Sequence, residues 1–169
     1  MERSRGELTS PKNMLIELPN VWTILGNVIL IPTAHLFLSW LSIKLPSKWF
    51  QAPTARQAPS SLSLYEKCFH IKKWKKLLPD AAPMFDGFSK KRLASTEETY
   101  LIQFVTECRR GQFSHWSQWC VISSFIVWNP WPACIVILLY SGLSNLPCIL
   151  NLRYTELRIY KFLDKKKHT

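Results

Sequence analysis

The sequence predicts an all-α membrane protein: one N-terminal transmembrane helix, amphipathic cytoplasmic helices, and a C-terminal helical hairpin broken at Asn129-Pro130-Trp131-Pro132. Three observations carry this. The 169 residues are 47% apolar, yet the apolar residues gather in two nearly charge-free blocks, Val21–Ile43 and Trp116–Leu152, instead of recurring at the period of a soluble helix or strand. Lys and Arg outnumber Asp and Glu by 22 to 11, and they flank those blocks. With only five glycines the chain contains no G-x-G-x-x-G and no G-x-x-x-x-G-K-[ST], which excludes the usual nucleotide folds. The length fits a single membrane domain over residues 1–169.

Taken in order, the block at 21–43 has His35 as its only ionisable group. At about 1.5 Å per residue it reaches roughly 34 Å, enough to cross a bilayer. Trp22 marks one interface, and Trp40 and Trp49 the other. A cleaved signal peptide is the rival reading, with Ala52-Pro-Thr-Ala55 as its site, but its apolar core would run to only about 7–15 residues. Pro32 is expected to kink the span. In the basic cytoplasmic or interfacial segment 44–115, Leu64, Cys68, Ile71, Trp74 and Leu78 recur at helical spacing. Lys67, Lys72, Lys73, Lys75 and Lys76 lie between them, giving an amphipathic basic helix whose lysines sit among lipid headgroups or hold a substrate phosphate. Leu77–Lys91 reads as a loop, and Ser95-Thr-Glu-Glu98 as a capping box opening a helix. That helix has the apolar stripe Tyr100, Leu101, Phe104, Val105 and Cys108, and Glu107 can pair with Arg110.

In the hairpin, 116–152, the first arm Trp116–Trp128 reaches only about 20 Å, so it begins earlier in the chain or enters and leaves on one side. The second arm, Ala133–Leu152, is long enough to cross, with a polar break at Asn145-Leu146-Pro147. Residues 153–169 form a basic tail. Three Lys or Arg precede the first span, thirteen lie between Lys44 and Arg110, and six follow Leu152. The positive-inside rule therefore places the middle segment and tail in the cytoplasm and the N-terminus outside, with the hairpin crossing twice or not at all. The expected location is the cell membrane, as a multi-pass protein.

Five cysteines without a C-x-x-C imply neither a disulfide framework nor a zinc site, and Cys68 and His70 read as structural. Charge flanking apolar spans favours lipid headgroups or a phosphate-bearing substrate over nucleic acid. There is no G-x-S-x-G and no H-E-x-x-H, and neither His35 nor His115 begins H-x-x-x-x-D. His115 stands at the mouth of the hairpin, one to two helical turns after Glu107 and Arg110. As a group that titrates near neutrality it can take a proton from a substrate hydroxyl, while Arg110 holds an anionic donor. On spacing alone, an interfacial histidine bonded to backbone or lipid is the preferred reading.

Four strings stand in order along the chain: Leu45-Pro46-Ser-Lys48-Trp49-Phe50; Tyr65-Glu66 leading to Lys73-Trp74-Lys75; Glu107-Cys-Arg-Arg110-Gly-Gln-Phe-Ser-His115-Trp116; and Asn145-Leu-Pro147-Cys-Ile149 followed by Arg153-Tyr154 and Arg158. Together they resemble the glycosyl-4,4′-diaponeurosporenoate acyltransferase family. The resemblance implies a membrane acyltransferase esterifying a sugar hydroxyl of a glycosylated carotenoid, or a similar glycolipid, with a fatty acyl chain. It implies His115 as catalytic base, with Glu107 and Asn145 beside it, and Arg110, Trp116, Arg153, Tyr154, Lys73 and Trp74 as substrate-binding residues. Asn145 or a backbone N–H near Pro147 would stabilise the oxyanion, and Arg110, Arg153 or the lysine-rich helix would hold the donor. Its partners are the acyl donor, the glycosylated acceptor and membrane lipids; no metal or nucleotide cofactor is required. The chain departs from the family pattern at Gln112 (Glu there), Leu152 (Gln) and Thr155-Glu156 (Asn-Arg). The competing class is a non-enzymatic anchoring or assembly protein that binds anionic lipid through its basic segment.

Overall fold

The computed structural model describes residue 16 and residues 18–51, 62–78 and 93–167. Ala52–Ala55, most of the loop expected over Leu77–Lys91, and His168 lie outside the described residues. Every regular element among those described is helical: α1 (Asn20–Lys44), α2 (Leu62–Lys67), α3 (Ile71–Trp74), α4 (Glu98–Ser123) and α5 (Trp131–Lys167). Short 3-10 turns occupy Ser47–Trp49, Lys75–Leu77 and Ser124–Trp128.

The three long helices pack side by side. Arg110 meets the carbonyls of Ser42 and Leu45, Gln118 meets Ser39, and Trp128 meets Asn27, so α4 runs antiparallel to α1. Gln112 meets Glu156, His115 meets Asn145, and Ser123 meets Ser141, so α5 returns antiparallel to α4. The stretch of α4 beyond Arg110, with the turn that follows it, therefore lies alongside α1 from its C-terminal end back to Asn27.

Burial along this bundle changes character at one level. Beside α1 the interior is mixed: Thr23 and Ser42 are the buried residues of α1, Ser114, Gln118, Asn129, Ser141 and Asn145 are buried on the elements packed with it, and one apolar cluster, Ile122, Phe125 and Ile137, packs with Ile31 and Ala34. Val28, Ile29, Phe37, Val136, Leu139 and Leu143 point outward. Below Arg110 the order reverts to that of a soluble protein, with Leu101, Phe104, Val105 and Cys108 of α4 packed on Ile159 and Tyr160 of α5. A bundle that turns most of its apolar side chains outward and keeps a run of polar ones inside matches a hydrocarbon solvent rather than water. Two helices, Asn20–Lys44 and Trp131–Lys166, are long and apolar enough to cross a membrane.

Several local expectations are corrected. Of the two readings of the first hairpin arm, the earlier start holds: residues 116–123 end a 26-residue helix that begins at Glu98, while Ser124–Trp128 is a 3-10 turn and not part of that helix. The capping box does not form: Ser95 Oγ accepts the Glu97 N–H, and the helix opens after Glu97 with no side-chain cap. The turn occupies Ser124–Pro130, while Pro132 falls within the first turn of α5, where its missing N–H costs no helical bond. Pro147 breaks nothing, since α5 runs through it, and residues 153–167 continue that helix instead of forming a loose tail. α1 likewise continues through Pro32, and the Thr33 hydroxyl donates to the Ile29 carbonyl at 2.7 Å. The single amphipathic helix over 64–78 is divided, because His70 adopts a left-handed conformation (φ 48°) between α2 and α3. That turn buries Ile71 completely and leaves Leu64 and Leu77 exposed.

Candidate active site

His115 lies in α4 just inside the level at which burial inverts, partly accessible, facing the fully buried Asn145 of α5. Its Nδ1 is 3.0 Å from Asn145 Oδ1. The amide orientation is fixed by its other end, because Asn145 Nδ2 donates to the Ser141 carbonyl at 2.9 Å and to Ser144 Oγ at 3.1 Å. Oδ1 must then accept from Nδ1–H, which makes Nε2 the basic nitrogen of the neutral imidazole. Asn145 thus orients the ring, and its two amide hydrogens are committed within α5. Pro147 lacks an N–H and so frees the Leu143 carbonyl, an acceptor; it supplies no oxyanion donor.

Glu107 and Arg110 sit elsewhere. Eight residues of helix place Glu107 about 12 Å along the axis from His115. Glu107 Oε2 instead approaches Arg110 Nε at 3.2 Å. The Arg110 guanidinium, almost fully buried, donates to the carbonyls of Ser42, Ile43 and Leu45 at 3.1, 2.6 and 2.9 Å and to Ser47 Oγ at 2.6 Å. It satisfies the carbonyls that the C-terminal end of α1 leaves without helical partners. It also stacks on Phe50, 5.3 Å from the ring centroid.

Arg153 pairs with the fully buried Glu156 at 2.8 Å, and Gln112 donates to the same carboxylate oxygen at 2.9 Å. Two of the positions that depart from the resembling pattern, Gln112 and Glu156, therefore touch. Trp116 is exposed and stacked on Trp119, with centroids 5.2 Å apart. Tyr154 is buried and donates to Glu66 at 2.9 Å. Trp74 donates to the Phe69 carbonyl at 2.8 Å, and Lys73 is exposed. Among the predicted residues the fold brings His115 to Asn145 and Glu107 to Arg110, and places Tyr154 with the α2–α3 segment apart from His115.

A second polar cluster was missed. His35 Nδ1 is 2.7 Å from Gln118 Oε1, and Tyr140 Oη is 3.2 Å from His35 Nε2. Gln118 Nε2 reaches Ser39 and Ser114. Farther along, the Asn27 and Asn129 side chains bond to each other at 2.6 Å. The available signal was a polar stripe at fourfold spacing inside the second apolar block, Ser114–Gln118 on one arm and Ser141–Asn145 on the other.

The family model described as glycosyl-4,4′-diaponeurosporenoate acyltransferase matches residues 46–165, which leaves α1 outside the matched range. A protein of that name from Staphylococcus haemolyticus (strain JCSC1435) is 33% identical over 98 residues, covering 57% of each chain. The match thus spans little more than half the length of that relative. No solved structure matches the chain.

Proposed function

Because the chain belongs to the glycosyl-4,4′-diaponeurosporenoate acyltransferase family, we propose that it is a multi-pass membrane enzyme, one membrane domain over its whole length, transferring a fatty acyl group to a sugar hydroxyl of a glycosylated carotenoid or similar glycolipid. The observation that carries the reading is the His115–Asn145 pair, with a tautomer-fixed imidazole at the level where outward apolar surface gives way to a soluble-type core. An amphiphile lying along the bundle has its sugar at that level. His115 Nε2 takes the proton of the sugar hydroxyl as its oxygen attacks the acyl carbonyl. The tetrahedral intermediate then expels the carrier, which recovers the proton from the imidazolium. Asn145 keeps Nδ1–H in place throughout, the orienting role of a third residue in nucleophile–base systems. Arg153 and Trp116 bind the substrates, Tyr154, Lys73 and Trp74 bind them from the α2–α3 side apart from His115, and Glu107 acts through Arg110.

The test is ester formation in membranes supplied with a glycosylated carotenoid and an acyl donor. His115→Gln keeps size and hydrogen bonding but removes the titratable nitrogen, so activity should fall by about 10²–10⁴-fold. Full activity in this variant at normal protein levels would exclude His115 as the base and favour the anchoring reading.

A further inference from the structure

On the polar side of the bundle, the left-handed His70 turns the chain so that Ile71 seats into a fully buried position and α3 packs against α5. Lys75 is thereby carried onto the Tyr154 ring of α5, with Arg158, Lys72 and Lys76 within electrostatic reach of its amine. Lys75 Nζ and the Arg158 guanidinium lie 5.5 and 5.7 Å from the centroid of the same Tyr154 ring. The carboxylate within this group, Glu66, is committed at both oxygens, to Lys72 at 2.8 Å and to the Tyr154 hydroxyl at 2.9 Å. Burial, then the charges of Arg158, Lys72 and Lys76, hold the Lys75 amine below its ordinary value. The fold thus gathers Lys72, Lys75 and Arg158 around one carboxylate with Lys76 acting on Lys75 from beside it, an excess of positive charge that an anion would relieve.

We propose that Lys75 and Arg158 at the buried Tyr154 ring, with Lys72 and Lys76 flanking them, form a phosphate-binding cradle at the polar end of the bundle, taking the phosphate of a membrane phospholipid headgroup or of a water-soluble acyl carrier. Arg158 supplies a planar two-point donor and the lysines supply compact charges, the usual division of labour at phosphates. The cradle begins at the first residues of α5 past the apolar block, so both sources reach it. The inference goes beyond the chemistry assigned to His115, and its readout is binding.

The full chain is reconstituted in phosphatidylcholine nanodiscs. One arm titrates coenzyme A; the other dopes the discs with phosphatidate and counts retained lipid by native mass spectrometry. Wild type should hold at least one probe, Lys75→Gln/Arg158→Gln should weaken it about tenfold or more, and His115→Gln should leave it intact. Retention of coenzyme A alone assigns a soluble carrier, and of phosphatidate alone a lipid headgroup. A second measurement needs no disruptive variant: in wild type carrying methylated lysines, the Lys75 NMR titration should move upward when the retained probe is added. Failure to bind either probe, equal binding by the folded double variant, or an unmoved Lys75 titration would overturn the proposal.

Discussion

Arg110 shows how a residue with catalytic credentials in sequence acquires a different task in three dimensions. An arginine one turn before a candidate base suggests a grip on an anionic substrate, but its donors are spent on three carbonyls and a hydroxyl at the end of α1. Only a planar fork on a long stem reaches that many acceptors at once, so lysine is a poor substitute. Arg110→Ala should cost about 2–3 kcal/mol by leaving those acceptors and Glu107 unpaired. It should lower the melting temperature in detergent while leaving KM for the acyl donor unchanged in folded protein. A raised KM with an unchanged melting temperature would return Arg110 to the donor. The candidate base was legible as a residue type near an interface, but its partner was not: Asn145 is thirty positions away, and no periodicity announces a pairing between two antiparallel helices.

Among the elements, the segment α2–α3 is fastened to α5 through Glu66, whose carboxyl is held below its ordinary value first by Lys72 and then by the Tyr154 hydroxyl. A lowered folded value means that the carboxylate's contribution is fully present above the unfolded value near 4.5 and is lost as the pH falls through the lower folded value. Amide protection factors in α2 and α3, each taken against the intrinsic exchange rate at the same pH, should therefore fall selectively as the pH is taken from 6 to 3, ahead of α4. Glu66→Gln should exchange faster at pH 6 and show a weaker pH response; identical pH profiles for the two proteins would refute the coupling. The same elements mark the limits of reading the chain directly. Apolar blocks and the Asn129-Pro130 turn are written in composition and proline chemistry, so they are legible. The division at His70 is not, because the stripe from Leu64 to Leu78 keeps helical spacing across it, and only the burial of Ile71 against α5 selects the turn. The unbroken course of α4 was hidden for the opposite reason: Glu107, Arg110 and Gln118 look like solvent-facing positions until α1 and α5 are there to receive them.

For the whole molecule, the contacts of Asn129 with Asn27 and of Val127 with Ile16 put the hairpin tip near the start of α1, while the lysine-rich end of α5 lies at the opposite end. In a background lacking the five native cysteines, Pro130→Cys should react with an impermeant maleimide in intact cells, and Lys166→Cys only after permeabilisation. Labelling of both from the same side would show that the hairpin does not cross. The polar side of α4 bears on how such a chain is made. α1 can partition into lipid as it emerges and already offers partners to Arg110 and Gln118, but Gln112 and His115 of α4 meet theirs, Glu156 and Asn145, only when α5 is synthesised. At ribosomal rates of about 5–20 residues per second, roughly thirty further residues leave the arm waiting for some 2–6 s. Its insertion is therefore a joint event, two helices entering as a preassembled pair, and the speed of translation between Ser124 and Leu152 becomes a determinant of yield.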